Sequence, residues 1–414
     1  MKLLDKIYQA SERIKNIAVH TPLTINENLS EEFTAQVYLK REDLQPVRSY
    51  KLRGAYNKMV SLSEKEKSKG IVCASAGNHA QGVAYACNKL NIKGTIFMPV
   101  TTPTQKIKQV NLFGKDKVEV VLKGDTFDEA SVKAHQFCKE VGAVFIHPFD
   151  DEKVIAGQGT IGLELLEDSP VPIDYVFVPI GGGGVAAGII TVFNKLGPET
   201  KIIGVEPAGA ASMKTSLEKG ENTTLEEIDN FVDGAAVARV GEHTFEICKN
   251  GLEDIIVVPE GKVCTTILRM YNEEAIVVEP AGALTISALD FYKDQIKGKN
   301  VVCVVSGSNN DITRMQEIKE RSLLYEGFKH YFLVQFPQRP GAIKDFVNDI
   351  LGPNDDIVYF QYTKKNNRES GPAVVGIELK DPKDLLRIEQ QLTLRKFVYQ
   401  YLNDSTDFFV IPIS

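Results

Sequence analysis

The sequence predicts an α/β protein, with parallel sheets covered by helices on both faces, followed near residue 325 by a smaller α+β module. Two observations carry that prediction. Short, nearly continuous apolar runs alternate with stretches of helical spacing through the first three quarters of the chain, as expected for strands buried on both faces between crossover helices. Beyond residue 325 the order becomes strand, helix, strand, strand, helix, which suits a small antiparallel unit. A length of 414 residues agrees with two or three domains.

Taken in order, residues 1–15 (MKLLDKIYQASERIK) place apolar side chains at helical spacing between charges. They lack the uninterrupted apolar core of a signal peptide. Strands are predicted at 37–39, 71–73, 95–97, 118–122, 144–146, 175–180, 201–206, 255–258 and 301–305, and helices at 81–90, 104–112 and 127–141. Pro103 suits the first turn of the second of these helices. In the module, a strand at 331–334 leads through an Arg-Pro-Gly turn to a helix at 342–351. Strands at 357–362 and 373–379, joined by a polar loop at 364–371, form an expected antiparallel hairpin. A helix at 382–392 and a short strand near 397–401 complete it. The charged stretch 314–321 is expected to bridge the parts. The domain limits are therefore 1–324, with a smaller subdomain at 52–150 inside it, and 325–414.

Composition excludes several classes. With 43% hydrophobic and 25% charged residues the chain is an ordinary globular protein, not a disordered or fibrous one. A net charge of −7 lacks the footprint of a nucleic-acid binder. The six cysteines form no CxxC pair and mostly sit in apolar runs, so they read as reduced core thiols of a cytoplasmic protein. The uncharged stretch 175–194 contains Pro179 and four successive glycines and makes a poor membrane span, so no membrane partner is expected.

Four segments carry chemistry. Lys51, in Ser49-Tyr50-Lys51-Leu52-Arg53-Gly54, precedes an apolar helical run. Burial and the neighbouring Arg48 and Arg53 would lower its pKa and free the amine as a nucleophile; the alternative is an exposed lysine at a helix start. Ser75-Ala76-Gly77-Asn78-His79 follows a strand, where small residues expose backbone N–H groups to an anion such as a carboxylate, or simply cap a helix. Gly181, Gly182, Gly183 and Gly184 follow another strand and open a helix at Val185. Four glycines cost much backbone entropy, and they suit N–H groups converging on one phosphate. Ser306-Gly307-Ser308-Asn309-Asn310 ends a third strand. Ligands of open α/β sheets lie beyond such carboxyl ends, which suggests one shared site. A dinucleotide fingerprint (Gly181, Gly183, Ala186, then Glu206) is the competing reading, but it leaves Lys51, Asn78 and Ser306 unexplained. No zinc-ligand spacing and no G-x-S-x-G occurs.

Together these segments, in this order and spacing, resemble the fold-type II pyridoxal-phosphate enzymes, and within them the biosynthetic, isoleucine-regulated threonine dehydratases. The motifs are S-[FY]-K-x-R-G-A, S-A-G-N-H-A-Q-G, G-G-G-G-[LV] and S-G-x-N, and the likeness covers nearly the whole chain. It implies two parallel-sheet subdomains of the tryptophan synthase β-like architecture, and a ferredoxin-like, ACT-type regulatory module at the C-terminus. It implies pyridoxal 5'-phosphate as cofactor, held by Lys51 as a Schiff base. Asn78 would bond the ring hydroxyl, Gly181 to Val185 would wrap the phosphate, and Ser306 would face the pyridine nitrogen. Ser75, Gly77, Asn78 and His79 would receive the substrate carboxylate, with Tyr50 and Glu279 beside the ring. The family more often has Phe where Tyr50 stands. Ser212 replaces an acidic residue that some relatives use with a Glu206 equivalent to bind a cation, so no metal is expected.

The implied reaction is β-elimination from L-threonine, giving 2-oxobutanoate and ammonia, the first step of isoleucine biosynthesis. Lys51 would serve as general base, and the neutral Ser306 would favour elimination over transamination. Isoleucine is the expected effector and a homo-oligomer, a tetramer, the expected assembly. A serine racemase or catabolic dehydratase on the same scaffold, and a non-catalytic amino-acid sensor, are the alternatives.

Overall fold

The computed structural model describes residues 2–362 and 370–403 and divides into two compact units, one ending at Ile312 and one beginning at Thr313. In the first unit a six-stranded sheet has the order Leu23–Ile25, Gln36–Arg41, Asn300–Val305, Tyr175–Pro179, Lys201–Pro207, Asp254–Val258. All its pairings are parallel except the first. The central strand Tyr175–Pro179 is apolar along its length because helices cover both faces, and every residue of it is buried. The antiparallel edge strand Leu23–Ile25 has three residues, too few to show a period, and it was not legible in the sequence.

A second, four-stranded parallel sheet has the order Val118–Leu122, Gly94–Met98, Ile71–Ala74, Val144–Phe145. It forms the smaller subdomain. The helix Phe127–Val141 starts where the Thr126 side chain accepts from the Glu129 N–H. Pro103 stands just outside the helix Thr104–Gly114, at its cap, rather than in its first turn.

The helix Glu152–Asp168 was missed by periodicity because glycines interrupt its apolar face. Those glycines are packing contacts. A Cβ at Gly157 would stand 2.4 Å from the Arg53 carbonyl oxygen, and one at Gly188 would stand 2.6 Å from the Gly159 Cα. Backbone-to-backbone approach thus locks three helices together: Lys51–Val60, Glu152–Asp168 and Gly184–Leu196.

A buried ionic network braces the same helices. Arg53, 1% exposed, makes paired bonds to the Glu42 carboxylate (2.7 and 2.8 Å) and to Glu164 (2.6 and 2.8 Å). The fully buried Lys40 joins Glu164 and Asp168. All six cysteines are buried and unbridged.

In the second unit an antiparallel sheet has the order Asp356–Tyr362, Ser370–Glu378, Lys329–Pro337, Val398–Tyr401. With the helices Ala342–Ile350 and Asp384–Leu394 this is the βαββαβ, ferredoxin-like arrangement. Phe346, Ile350, Ile388 and Leu392 pack on Phe332, Val334, Phe336 and Val375. The predicted polar loop 364–371 lies largely outside the described residues. The charged segment near 314–321 forms most of the helix Met315–Tyr325 within this unit. There Glu320 accepts from the Tyr331 hydroxyl at 2.7 Å and pairs with Lys329.

Candidate active site

The predicted segments converge at the carboxyl ends of parallel strands: Ser75 after Ile71–Ala74, Gly181 after Tyr175–Pro179, and Ser306 after Asn300–Val305. Lys51 opens its helix, preceded by Tyr50. The Tyr50 N–H donates to the Ser306 carbonyl at 3.2 Å, and Ser49 bridges Gly307. A Cβ at Gly82, on the helix Asn78–Leu90, would stand 3.2 Å from the Lys51 carbonyl carbon, so that helix lies directly against the lysine's backbone.

The Lys51 ammonium donates to the Pro148 carbonyl at 3.1 Å and stands 5.3 Å from the centre of the Tyr50 ring. Burial pulls its pKa down to about 8, against the opposing pull of the Glu279 carboxylate. The sequence reading attributed the lowered pKa partly to Arg48 and Arg53. The structure corrects this: Arg53 is neutralised by Glu42 and Glu164, and desolvation carries the shift. Burial, with Glu279 and Glu42 nearby, raises the Tyr50 phenol.

Segment 147–151 is the main element that sequence reasoning missed. Pro148 also lies 3.4 Å from the Gln158 amide nitrogen, and the Phe149 ring covers the glycine run. A Cβ at Gly182 would fall 2.2 Å from the Phe149 ring. Asp150 accepts from the Glu242 and His243 N–H groups at 3.0 Å, capping the helix Glu242–Lys249. From that helix the Thr244 hydroxyl donates to the Gly182 carbonyl at 2.6 Å. The available signal was the pair Asp150-Asp151 after a strand, two side chains suited to capping two helices.

Gly183 takes φ +89, a left-handed conformation, and the helix Gly184–Leu196 begins directly after it, with Val185 in its first turn. The first N–H groups of a helix have no partners within it and carry the positive end of its dipole. Close walls at Gly181 (Ala235), Gly182 (Phe149), Gly183 (Thr244) and Gly184 (Gln158) leave no room for side chains. A cradle that excludes every Cβ, beside a half-buried amine, fits a phosphate-bearing aldehyde such as pyridoxal phosphate.

At the other strand end, the Ser75 hydroxyl accepts from the Gly77 N–H at 3.2 Å, and Gly77 faces open space, with nothing within 4 Å of a Cβ built there. The His79 ring is turned inward. Its Nε2 bonds the Ile146 carbonyl at 2.8 Å, and burial, with the Lys51 charge, lowers its pKa to about 3. Any contact of His79 with a ligand at Gly77 therefore falls to its backbone N–H. Asn78 Nδ2 donates to Glu279 Oε1 at 2.6 Å. Asn78 Oδ1 accepts from Asn309 Nδ2 at 2.7 Å. Ser306 is 3% exposed. Burial and the Asp233 charge raise the Glu279 carboxyl to about 7. Glu206 accepts from the Met213 and Lys214 N–H groups at 2.7 and 2.8 Å, which occupies both its oxygens in capping the helix Ser212–Lys219.

This fold and site define a class, the pyridoxal-phosphate-dependent enzymes. Residues 14–307 match the family described as Pyridoxal-phosphate dependent enzyme, and residues 320–410 match the C-terminal regulatory domain of Threonine dehydratase. The L-threonine dehydratase biosynthetic IlvA of Halalkalibacterium halodurans is 56% identical over 410 residues, covering 99% of each chain. That of Bacillus subtilis is 55% identical over 407 residues, covering 98% of this chain and 96% of its own. Among solved structures, processed threonine deaminase isoform 2 of Solanum lycopersicum superposes with a TM-score of 0.72 at 43% identity, covering 77% of this chain and 94% of that one. Maize serine racemase superposes with 0.72 at 29% identity, covering 78% and 98%. The chain belongs to the family of biosynthetic threonine dehydratases, which are pyridoxal-phosphate-dependent ammonia-lyases.

Proposed function

We propose that this chain converts L-threonine to 2-oxobutanoate and ammonia as the first step of isoleucine biosynthesis, and that isoleucine inhibits it through the unit beginning at Thr313. The observation that supports the catalytic reading is the Lys51 amine: half-buried, lowered to about 8 by desolvation, and held by the Pro148 carbonyl beside the walled glycine run.

Lys51 would hold the cofactor covalently, the N–H groups of Gly181 to Val185 its phosphate, Asn78 its ring oxygen and Ser306 its ring nitrogen. Bound there, pyridoxal phosphate supplies a ring that accepts electrons from the substrate's α-carbon. Ser75, Gly77, Asn78 and His79 would hold the substrate carboxylate at a helix N-terminus, where the dipole favours an anion. Lys51 Nζ would also be the base that removes the α-proton. A base titrating near 8 is well matched to that task near neutrality. The Pro148 carbonyl aims the nitrogen, and the Gly82 contact fixes the backbone from which it extends.

Keto-acid formation from L-threonine, measured with and without isoleucine, tests the proposal. The account expects turnover that isoleucine suppresses; no keto acid from threonine refutes it. A serine racemase reading has the superposition with the maize enzyme in its favour, but at 29% identity against 43% for the tomato threonine deaminase. Racemisation of serine without keto-acid formation from threonine would support it instead. We further infer a cytoplasmic homo-oligomer, a tetramer, to be tested by light scattering. No helix among the described residues is long and apolar enough to cross a membrane.

A further inference from the structure

We propose that Glu279 and Asn309 are positioning residues that fix which way round the Asn78 amide stands, so that an N–H of Asn78, not its carbonyl oxygen, faces the cofactor ring. This rests on the pyridoxal-phosphate reading above. An asparagine amide is nearly symmetric in shape and opposite in chemistry at its two ends, so its orientation is set by its partners.

Here the partners are unambiguous. Asn309 Nδ2 donates to the Val47 carbonyl at 2.9 Å, and a backbone carbonyl can only accept, so the Asn309 amide has one permitted orientation. That orientation directs a second N–H of Asn309 to Asn78 Oδ1 at 2.7 Å. Glu279, an acceptor when ionised, takes Asn78 Nδ2 at 2.6 Å through Oε1 and the Asn309 backbone N–H at 3.1 Å through Oε2. The three residues close a ring of bonds in which one N–H of Asn78 remains to donate outward.

Backbone geometry holds the carboxylate in place. The Glu279 N–H donates to the Gly307 carbonyl at 3.2 Å, and a Cβ at Gly307 would stand 2.4 Å from Glu279 Oε1. The glycine and the asparagine of Ser306-Gly307-Ser308-Asn309 therefore both serve Glu279. An outward N–H stabilises a deprotonated ring oxygen, whereas a flipped amide would present a lone pair to it and favour the protonated form.

The test is a double-mutant cycle on pyridoxal-phosphate affinity, read by absorbance on protein stripped of cofactor and retitrated, with Glu279→Gln, Asn78→Ala and the double variant. Glutamine has one acceptor atom where the carboxylate has two, so it cannot take both the Asn78 amide and the Asn309 N–H, and it removes Glu279's part of the constraint while keeping the volume. Glu279→Gln is expected to weaken binding about tenfold, the worth of one well-placed hydrogen bond. It should also raise the share of absorbance from cofactor with a protonated ring oxygen. In the Asn78→Ala background the same change should weaken binding by less than about twofold.

Equal weakening in both backgrounds, or none in either, overturns the proposal. If Glu279→Gln does not fold, Asn309→Ala replaces it in the same cycle with the same criteria. A wild-type chain that binds no pyridoxal phosphate overturns the cofactor reading as well, an outcome distinct from an additive cycle on a wild type that binds.

Discussion

Replacing Gly183 by alanine tests the glycine run as a cradle, and Gly220 supplies the control. Both glycines have positive φ, +89 and +76, so a Cβ at either costs roughly 1–2 kcal/mol of backbone strain. Their surroundings differ. A Cβ at Gly183 would meet the Thr244 Cβ at 2.9 Å, Thr244 Oγ1 at 3.0 Å and the Met213 methyl at 3.1 Å. At Gly220, the left-handed cap of the helix Ser212–Lys219, it would meet nothing within 4 Å. Overpacking at Gly183 adds about 1–3 kcal/mol unless the loop moves. Movement of Thr244 would break its 2.6 Å bond to the Gly182 carbonyl and turn the N–H groups that follow. Misaligning one charge-assisted hydrogen bond of about 1.5–3 kcal/mol corresponds to roughly 10–100-fold in affinity. Absorbance titration of cofactor-stripped protein with pyridoxal phosphate, alongside thermal unfolding, measures both effects. Gly183→Ala should lose affinity in that range, and Gly220→Ala should lose stability alone. Unchanged affinity in Gly183→Ala, or equal losses in both variants, would refute the reasoning.

Three further outcomes are expected. The rate at which the stripped chain captures pyridoxal phosphate should rise with pH about a midpoint near 8, because burial disfavours the Lys51 ammonium and the neutral amine is the nucleophile; a midpoint at the ordinary 10.5 would contradict this. His79 has its pKa lowered from 6.5 to about 3 by burial, so the unfolded chain binds more protons between those values; its contribution to stability, present above pH 6.5, is lost progressively as pH falls. Denaturant midpoints for wild type and His79→Gln should accordingly converge between pH 7 and pH 4. Arg53→Met leaves the Glu42 and Glu164 carboxylates without their guanidinium and should cost about 3–5 kcal/mol in urea unfolding, whereas a loss under about 1 kcal/mol would show that the network relaxes freely.

Much of the architecture was legible because strands buried on both faces must be apolar throughout. The runs at 71–73, 175–180 and 301–305 announced themselves this way and recur within a residue in Ile71–Ala74, Tyr175–Pro179 and Asn300–Val305. The helix Glu152–Asp168 was hidden for the opposite reason: its glycines serve backbone contact with Arg53 and Gly188, and they erase the apolar period. In the site, the residues visible in sequence were those with unusual local chemistry, namely Lys51 and the four glycines. Pro148 and Phe149 act through a carbonyl and a ring of kinds found in any loop, so only their placement reveals them. Glu279 was placed beside the ring by resemblance alone; its partners Asn78 and Asn309 lie 201 and 30 residues away in sequence, a separation no local pattern spans. The cause of the lysine's lowered pKa was misassigned because sequence shows that Arg53 is near in the chain and conceals that two carboxylates neutralise it.

Borohydride reduction of the chain loaded with pyridoxal phosphate, followed by peptide mass analysis, tests the central claim most directly. A single cofactor adduct on the peptide bearing Lys51, absent from Lys51→Ala, is the predicted result. An adduct on a different lysine, or none, would contradict it.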